Sequence, residues 1–108
     1  MQVTEVEWSK REKQIAQAAF ERAFEREVRA LMREVSERAQ ALDELDDMWN
    51  LHDFLSAKRH EIDGKYDNCE AALIFVFANL IQEGWLHIQE LEGLASEKLR
   101  KISALTRM

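Results

Sequence analysis

From Ser9 to Gly64 the chain reads SKREKQIAQAAFERAFEREVRALMREVSERAQALDELDDMWNLHDFLSAKRHEIDG, with no proline and no glycine before the last residue. Ser9 and Glu12 stand at capping-box spacing, the hydroxyl reaching forward to one backbone N–H and the carboxylate back to another, so a helix is expected to start here. Within the stretch Phe24, Val28, Leu31, Val35, Leu42, Leu45 and Trp49 alternate steps of four and three, with Arg38 as the one polar slot. A mean repeat of about 3.5 is the pattern of a packed helical seam. A helix this long cannot be covered by the rest of a 108-residue chain, so the economical partner is a second copy, packed seam to seam. A seam buried wholly within one chain is the competing reading. Asp43, Asp46 and Asp47 are candidate caps, so the rod either runs straight through them or kinks there.

The rest of the composition agrees. Three glycines and no proline cannot supply the turns of an all-β domain, so the chain is all-α. Its length fits one domain over residues 1–108, and 46% hydrophobic residues suffice for a core. A single cysteine cannot form an internal disulfide, which points to a reducing cytoplasm. The first residues carry Glu and no Lys or Arg, unlike a signal peptide, and the apolar run from Ala71 to Ala78 is far short of the roughly 20 residues that cross a bilayer. The 21 acidic against 15 basic residues, net −6, disfavour a general nucleic-acid binder.

Gly64 is placed to end the long helix in the left-handed conformation. Asp67 and Glu70 repeat the capping-box spacing, and residues 68–83 are apolar nearly all round, the signature of a core helix. Gly84 stops it. A last helix over about 88–106 places Leu91, Leu94 or Ala95, Lys98 or Leu99, Ile102 and Leu105 at helical spacing, weakened at Gly93. The architecture expected is a helical stalk, about 9–63, bearing a small helical head, about 67–108.

Turned at about 100° per residue, the segment after Asp47 has two faces. Leu51, Leu55 and Ile62 lie together with Phe54 to one side; opposite them lie Trp49, His52, Asp53, Ser56, Arg59, His60 and Asp63. A tryptophan amid polar residues is not needed for a core already served by the other face, and Trp and Arg are enriched at binding hot spots. Trp49 also extends the seam of Leu42 and Leu45, so it either closes the dimer contact alone or serves a partner as well. His52 and His60 lack the further ligands of a metal site, no phosphate-binding loop exists, Cys69 has no redox partner in sequence, and His87 reads as a helix-start residue. No catalytic residue, metal or cofactor is expected.

The run Trp-x-Leu-His-Asp-Phe-Leu-Ser-Ala-Lys-Arg-His-Glu-Ile-Asp-Gly-Lys-Tyr-Asp, Trp49 to Asp67, resembles the fluorescence recovery protein family of cyanobacteria. The likeness extends to Trp8-Ser9, to Ile74-Phe75-Val76-Phe77-Ala78 with Gln82-Glu83-Gly84, and to Lys101-Ile102, and so spans nearly the whole chain. Trp85 and Cys69 lie outside it. The resemblance implies an all-helical homodimer that is not an enzyme. It implies a partner, orange carotenoid protein (mainly its C-terminal domain), whose photoactivated red form is returned to orange and detached from the phycobilisome near the thylakoid membrane. The family's functional patch maps to Trp49, His52, Asp53 and Arg59, a second contact region to Phe75 and Lys101, and its dimerising helix passes through Met32. A small dimeric enzyme of the chorismate-mutase type shares the size and helicity, but Asp53 and Asp63 beside Arg59 would repel its dicarboxylate substrate.

Overall fold

The computed structural model describes residues 7–66 and 69–108, and these form four α-helices and no strand. They are α1 (Lys10–Gln40), α2 (Leu45–Lys65), α3 (Leu73–Gln82) and α4 (Ser96–Thr106), with a short 3-10 turn at Ile88–Leu91. No described helix is long and apolar enough to cross a membrane.

Helix α1 starts as its capping box dictates: the Glu12 N–H donates to Ser9 Oγ at 3.1 Å, and the Ser9 N–H donates to Glu12 Oε1 at 3.0 Å. It does not continue to Gly64. After Gln40 the chain turns, and the Asp47 carboxylate accepts the backbone N–H groups of Asp43 and Glu44 at 3.1 and 3.0 Å, opening α2. Of the three candidate aspartates, Asp47 is thus the one that caps, reaching back from inside the helix. Helix α2 then doubles back: the Arg38 guanidinium stacks 3.9 Å over the Phe54 ring, while Lys65 meets Glu27. The rod of the sequence reading is therefore an antiparallel helical hairpin. The 3.5 repeat carries on across the turn in spacing alone: Val28, Leu31 and Val35 are half-buried, whereas Leu45 and Trp49 beyond it are exposed, and such a repeat does not register a change of direction.

Two further differences concern glycine. Helix α2 runs through Gly64 to Lys65, and Gly64 is not left-handed; the positive-φ glycines are Gly84 and Gly93. One more helical residue aims the Lys65 side chain at α1, and Tyr66 closes the helix instead. The last helix is shorter than expected, because Gly93, at φ +109°, breaks residues 88–106 into the 3-10 turn and α4. Helix α3 begins at Leu73, after a turn at Glu70–Ala72, rather than at 68; Asp67 lies outside the described residues. Gly84, at φ +88°, ends α3 as expected, with the Trp85 N–H bonding Leu80 O at 2.9 Å and the Gly84 N–H bonding Ile81 O at 3.1 Å.

The core gathers Leu73, Ile74, Val76, Phe77 and Leu80 of α3, Leu86, Leu91 and Leu94 of the following segment, and Ile102 of α4. It also takes in Trp8 and the first half of α1 through Ala16, Ala19, Phe20 and Ala23. This stripe, spaced three, one and three, reaches α3 through Phe20, whose ring meets Phe77 at 5.2 Å between centres, while the backbone closest to α1 on the head is the 3-10 turn. It is where the long helix belongs to the head. Polar ties reinforce it. Arg26 grips Glu90 with two bonds of 2.8 and 2.7 Å and donates to Trp85 O at 3.0 Å. Lys98, buried, bonds Glu12 at 2.9 Å and the Glu7 carbonyl at 2.6 Å, and its ammonium lies 4.9 Å over the Trp8 ring.

Two predictions concern stability. A methyl group added at Gly93 would sit 2.5 Å from the terminal carbon of Ile15, which can swing aside, but the backbone strain at φ +109° stays. Gly93→Ala is therefore expected to cost about 1–2 kcal/mol in urea unfolding. Two carboxyls are held well below the usual range. Arg26 holds Glu90 at about 2. At Glu12 burial acts upward, but the Ser9 and Ala95 N–H groups and Lys98 outweigh it and bring the carboxyl to about 2. Both folded values lie below the ordinary 4.5, so their stabilisation is full above that pH and is lost as pH falls toward 2. Arg26→Met should lower the urea midpoint at pH 7, and the gap from the parent should close toward pH 2.

Candidate protein-interaction surface

Helix α2 divides its residues as the 100° rotation requires. Leu51, Phe54, Lys58, Ile62 and Lys65 turn toward α1 and are half-buried, while Trp49, His52, Asp53, Ser56, Arg59, His60 and Asp63 are exposed on the outer side. Leu55, grouped with the inner face by its angle, is exposed at the margin. No residue of α2 is fully buried, so this helix contributes almost nothing to the core.

Trp49 keeps 55% of its surface accessible, which marks it as presented rather than packed. Leu45 and Met48 are exposed beside it, making an apolar end to an otherwise polar face. His52 Nδ1 lies 3.3 Å from Asp53 Oδ1, and Arg59 Nε stands 4.0 Å from Asp63 Oδ2. These are loose, solvated pairs that leave the charged groups open to an incoming chain. From Trp49 to Arg59 the face is about 15 Å long at 1.5 Å per residue. Phe75 and Lys101 lie elsewhere, in the head. Phe75 is 63% exposed on a helix whose neighbours Ile74, Val76 and Phe77 are buried, and Lys101 pairs with Glu97 at 3.4 Å on the surface of α4. The structure thus gathers four of the six predicted contact residues on one helix face and sets the other two apart.

The seam residues behave unevenly. Val28, Leu31 and Val35 are half-buried, and Leu31 shares a cleft of about 70 Å³ with Lys58, Ile62 and Trp85. Phe24 meets Tyr66 edge-on at 5.3 Å between ring centres yet remains 46% exposed, while Met32, Leu42 and Leu45 are open. Clefts of about 210 Å³ beside Leu42 and about 140 Å³ beside Lys13 fall below the roughly 300 Å³ of small-molecule sites.

One cluster escaped the sequence reading. Lys65 Nζ lies 2.6 Å from Glu27, 2.6 Å from Glu83 and 3.5 Å from Glu61, and the Tyr66 hydroxyl donates to Glu27 at 2.8 Å. The three carboxylates offer oxygens within 4.8 Å of one another, a spacing that suits a cation, and the lysine ammonium is that cation. Burial acts against the charge on Lys65, but the bonds to Glu27 and Glu83 prevail and its pKa is raised. Burial and the Glu27 carboxylate both raise the Tyr66 phenol. Lys65-Tyr66 stands in the recognised run, but no spacing rule links it to a glutamate 38 residues earlier.

The model of the photoprotection regulator fluorescence recovery protein family matches residues 8–106. The chain belongs to this family. It is 49% identical over all 108 residues to the fluorescence recovery protein of Synechocystis sp., covering 100% of this chain and 99% of that one. The solved structure of the Fremyella diplosiphon fluorescence recovery protein is 57% identical and superposes with a TM-score of 0.91, covering 94% of this chain and 100% of its own. That of the Synechocystis protein is 50% identical, with the same TM-score and the same coverage. Membership assigns the chain to regulators of photoprotection rather than to enzymes.

Proposed function

We propose that this chain binds the photoactivated red form of orange carotenoid protein, speeds its return to the orange form and helps detach it from the phycobilisome, restoring antenna fluorescence. The observation that carries this reading is the outer face of α2, where an exposed Trp49 stands over His52, Asp53 and Arg59 with no core function to account for it. Family membership supplies the process in which such a face acts.

The chemistry of acceleration follows from what the face offers. A protein that speeds closure of a two-domain partner must bind the open form, or the closing transition state, better than the closed product. Trp49 supplies an apolar anchor for a surface of the partner's C-terminal domain that opening uncovers. Asp53 and Arg59 orient it through charge-assisted bonds. Phe75 and Lys101, on the head, guide the second domain back. A barrier lowered by about 1.4 kcal/mol gives a tenfold rate, so a few contacts suffice.

The working unit of this proposal is a homodimer joined along Phe24, Val28, Leu31, Met32, Val35, Leu42, Leu45 and Trp49. Its support is the incomplete cover of the hairpin: α2 buries no residue, and Phe24, Met32, Leu42, Leu45 and Trp49 stay exposed along a molecule 59 Å long. Apolar surface of this extent on one body calls for a partner, and a second copy continues the seam.

Arg59→Leu or Trp49→Leu should slow dark recovery of purified red carotenoid protein about tenfold relative to the parent chain, with the helical circular dichroism unchanged. Unaltered kinetics would remove the patch from the mechanism. For the dimer, Met32 is a cleaner probe than Leu31, which also lines the groove under α2. Met32→Glu should give a monomer by light scattering; a dimer that persists means that the seam is not the interface.

A further inference from the structure

Helix α2 carries four of the proposed contact residues, yet its place on the molecule does not come from core packing, since its apolar residues are at most half-buried. It is pinned at two points. Near the turn, Arg38 stacks on Phe54 while bonding Glu34 at 3.0 Å. At the far end Lys65, its side chain 5% exposed, reaches Glu27 of α1 and Glu83 just beyond α3, both at 2.6 Å. Tyr66 adds a hydroxyl bond to Glu27, and its ring lies edge-on to Phe20 at 5.9 Å and Phe24 at 5.3 Å. A single ammonium thereby joins the helix that bears Trp49 and Arg59 to both the long helix and the head.

We infer that Lys65 is a positioning residue: with Glu27, Glu83 and Tyr66 it holds the outer face of α2 at one fixed separation from the head's Phe75 and Lys101, so that both regions can meet one partner molecule at once. The inference rests on the two-region reading above. Its physical basis is the charge balance of the joint. Without the ammonium, three carboxylates remain within 4.8 Å of one another, one of them buried, and their repulsion drives the end of α2 away from α1 and the head. A face whose placement fluctuates is competent only part of the time, and its apparent affinity falls by that fraction while the rate of the saturated complex is kept.

The experiment uses the full chain with Cys69→Ser, spin labels at Ser56→Cys on α2 and Asn79→Cys on α3, and labelled chains diluted into unlabelled ones. The parent should give one narrow distance distribution, and Lys65→Met should at least double its width. Adding Glu27→Gln to Lys65→Met removes one of the repelling charges and should narrow the distribution again. An unchanged width in Lys65→Met, or no rescue by the second substitution, overturns the assignment. Where Lys65→Met loses its helical signal, Tyr66→Phe, which deletes only the 2.8 Å bond, must broaden the distribution, and a narrow one counts against the joint. In dark recovery, the half-saturating concentration of Lys65→Met should rise about tenfold with the saturating rate within about twofold of the parent. A broadened distance with unaltered recovery would show that the fixed separation does not serve the meeting with the partner, and would overturn the inference as well. A parent chain that accelerates nothing would fail the functional reading, and the label distances would then still decide whether Lys65 holds α2 to the head.

Discussion

Three helices of this protein meet on one ammonium group. Lys65 brings the end of α2 against Glu27, in the middle of α1, and against Glu83 at the end of α3, and almost no water reaches the lysine or Glu27. Taking such charges out of water costs several kcal/mol per ion, so the joint is a poor source of net stability. What it supplies is direction. A lysine among three carboxylates has one satisfactory arrangement, whereas a sliding apolar contact between α1 and α2 would have several. The hairpin that this joint closes is what brings the outer face of α2 and the head into one rigid frame.

Helix α1 serves two neighbours with different parts of its length. Its first half gives Ala16, Ala19, Phe20 and Ala23 to the core. Its second half presents Val28, Leu31 and Val35 to a helix that covers them only in part, and leaves Met32 open. The division falls near Glu27, where the lysine joint sits. One end of the molecule is thus a packed globule, while the other is a two-helix arm with apolar surface left over. That contrast explains why the exposed large hydrophobic residues cluster on the arm, with Phe75 and Met108 as the exceptions on the head.

The exceptions are instructive in physical terms. Phe75 stands exposed on a helix that periodicity reads as core, and the charged and aromatic outer face of α2 stands on a helix without a core role. Both depart from what stability alone would select. The proposed contact with another molecule would account for both, and the outer face of α2 was legible in the sequence alone: a tryptophan opposite a complete apolar stripe has no local use.

Signals that act within one turn of helix were decisive by themselves. Ser9 with Glu12 set the start of α1, Gly84 set the end of α3, the scarcity of glycine and proline set the helical class, and the run from Trp49 to Asp67 carried the family. Each depends on residues at most a few positions apart, or on residue identity alone. The reversal after Gln40, the passage of α2 through Gly64, the alanine stripe in the core and the break at Gly93 were decided by tertiary structure. A seven-residue apolar repeat is satisfied equally by a straight rod and by a hairpin, because it specifies which face is covered and not what covers it. Choosing between them required Lys65 to find Glu27 across 38 residues, and no local pattern encodes a contact of that range.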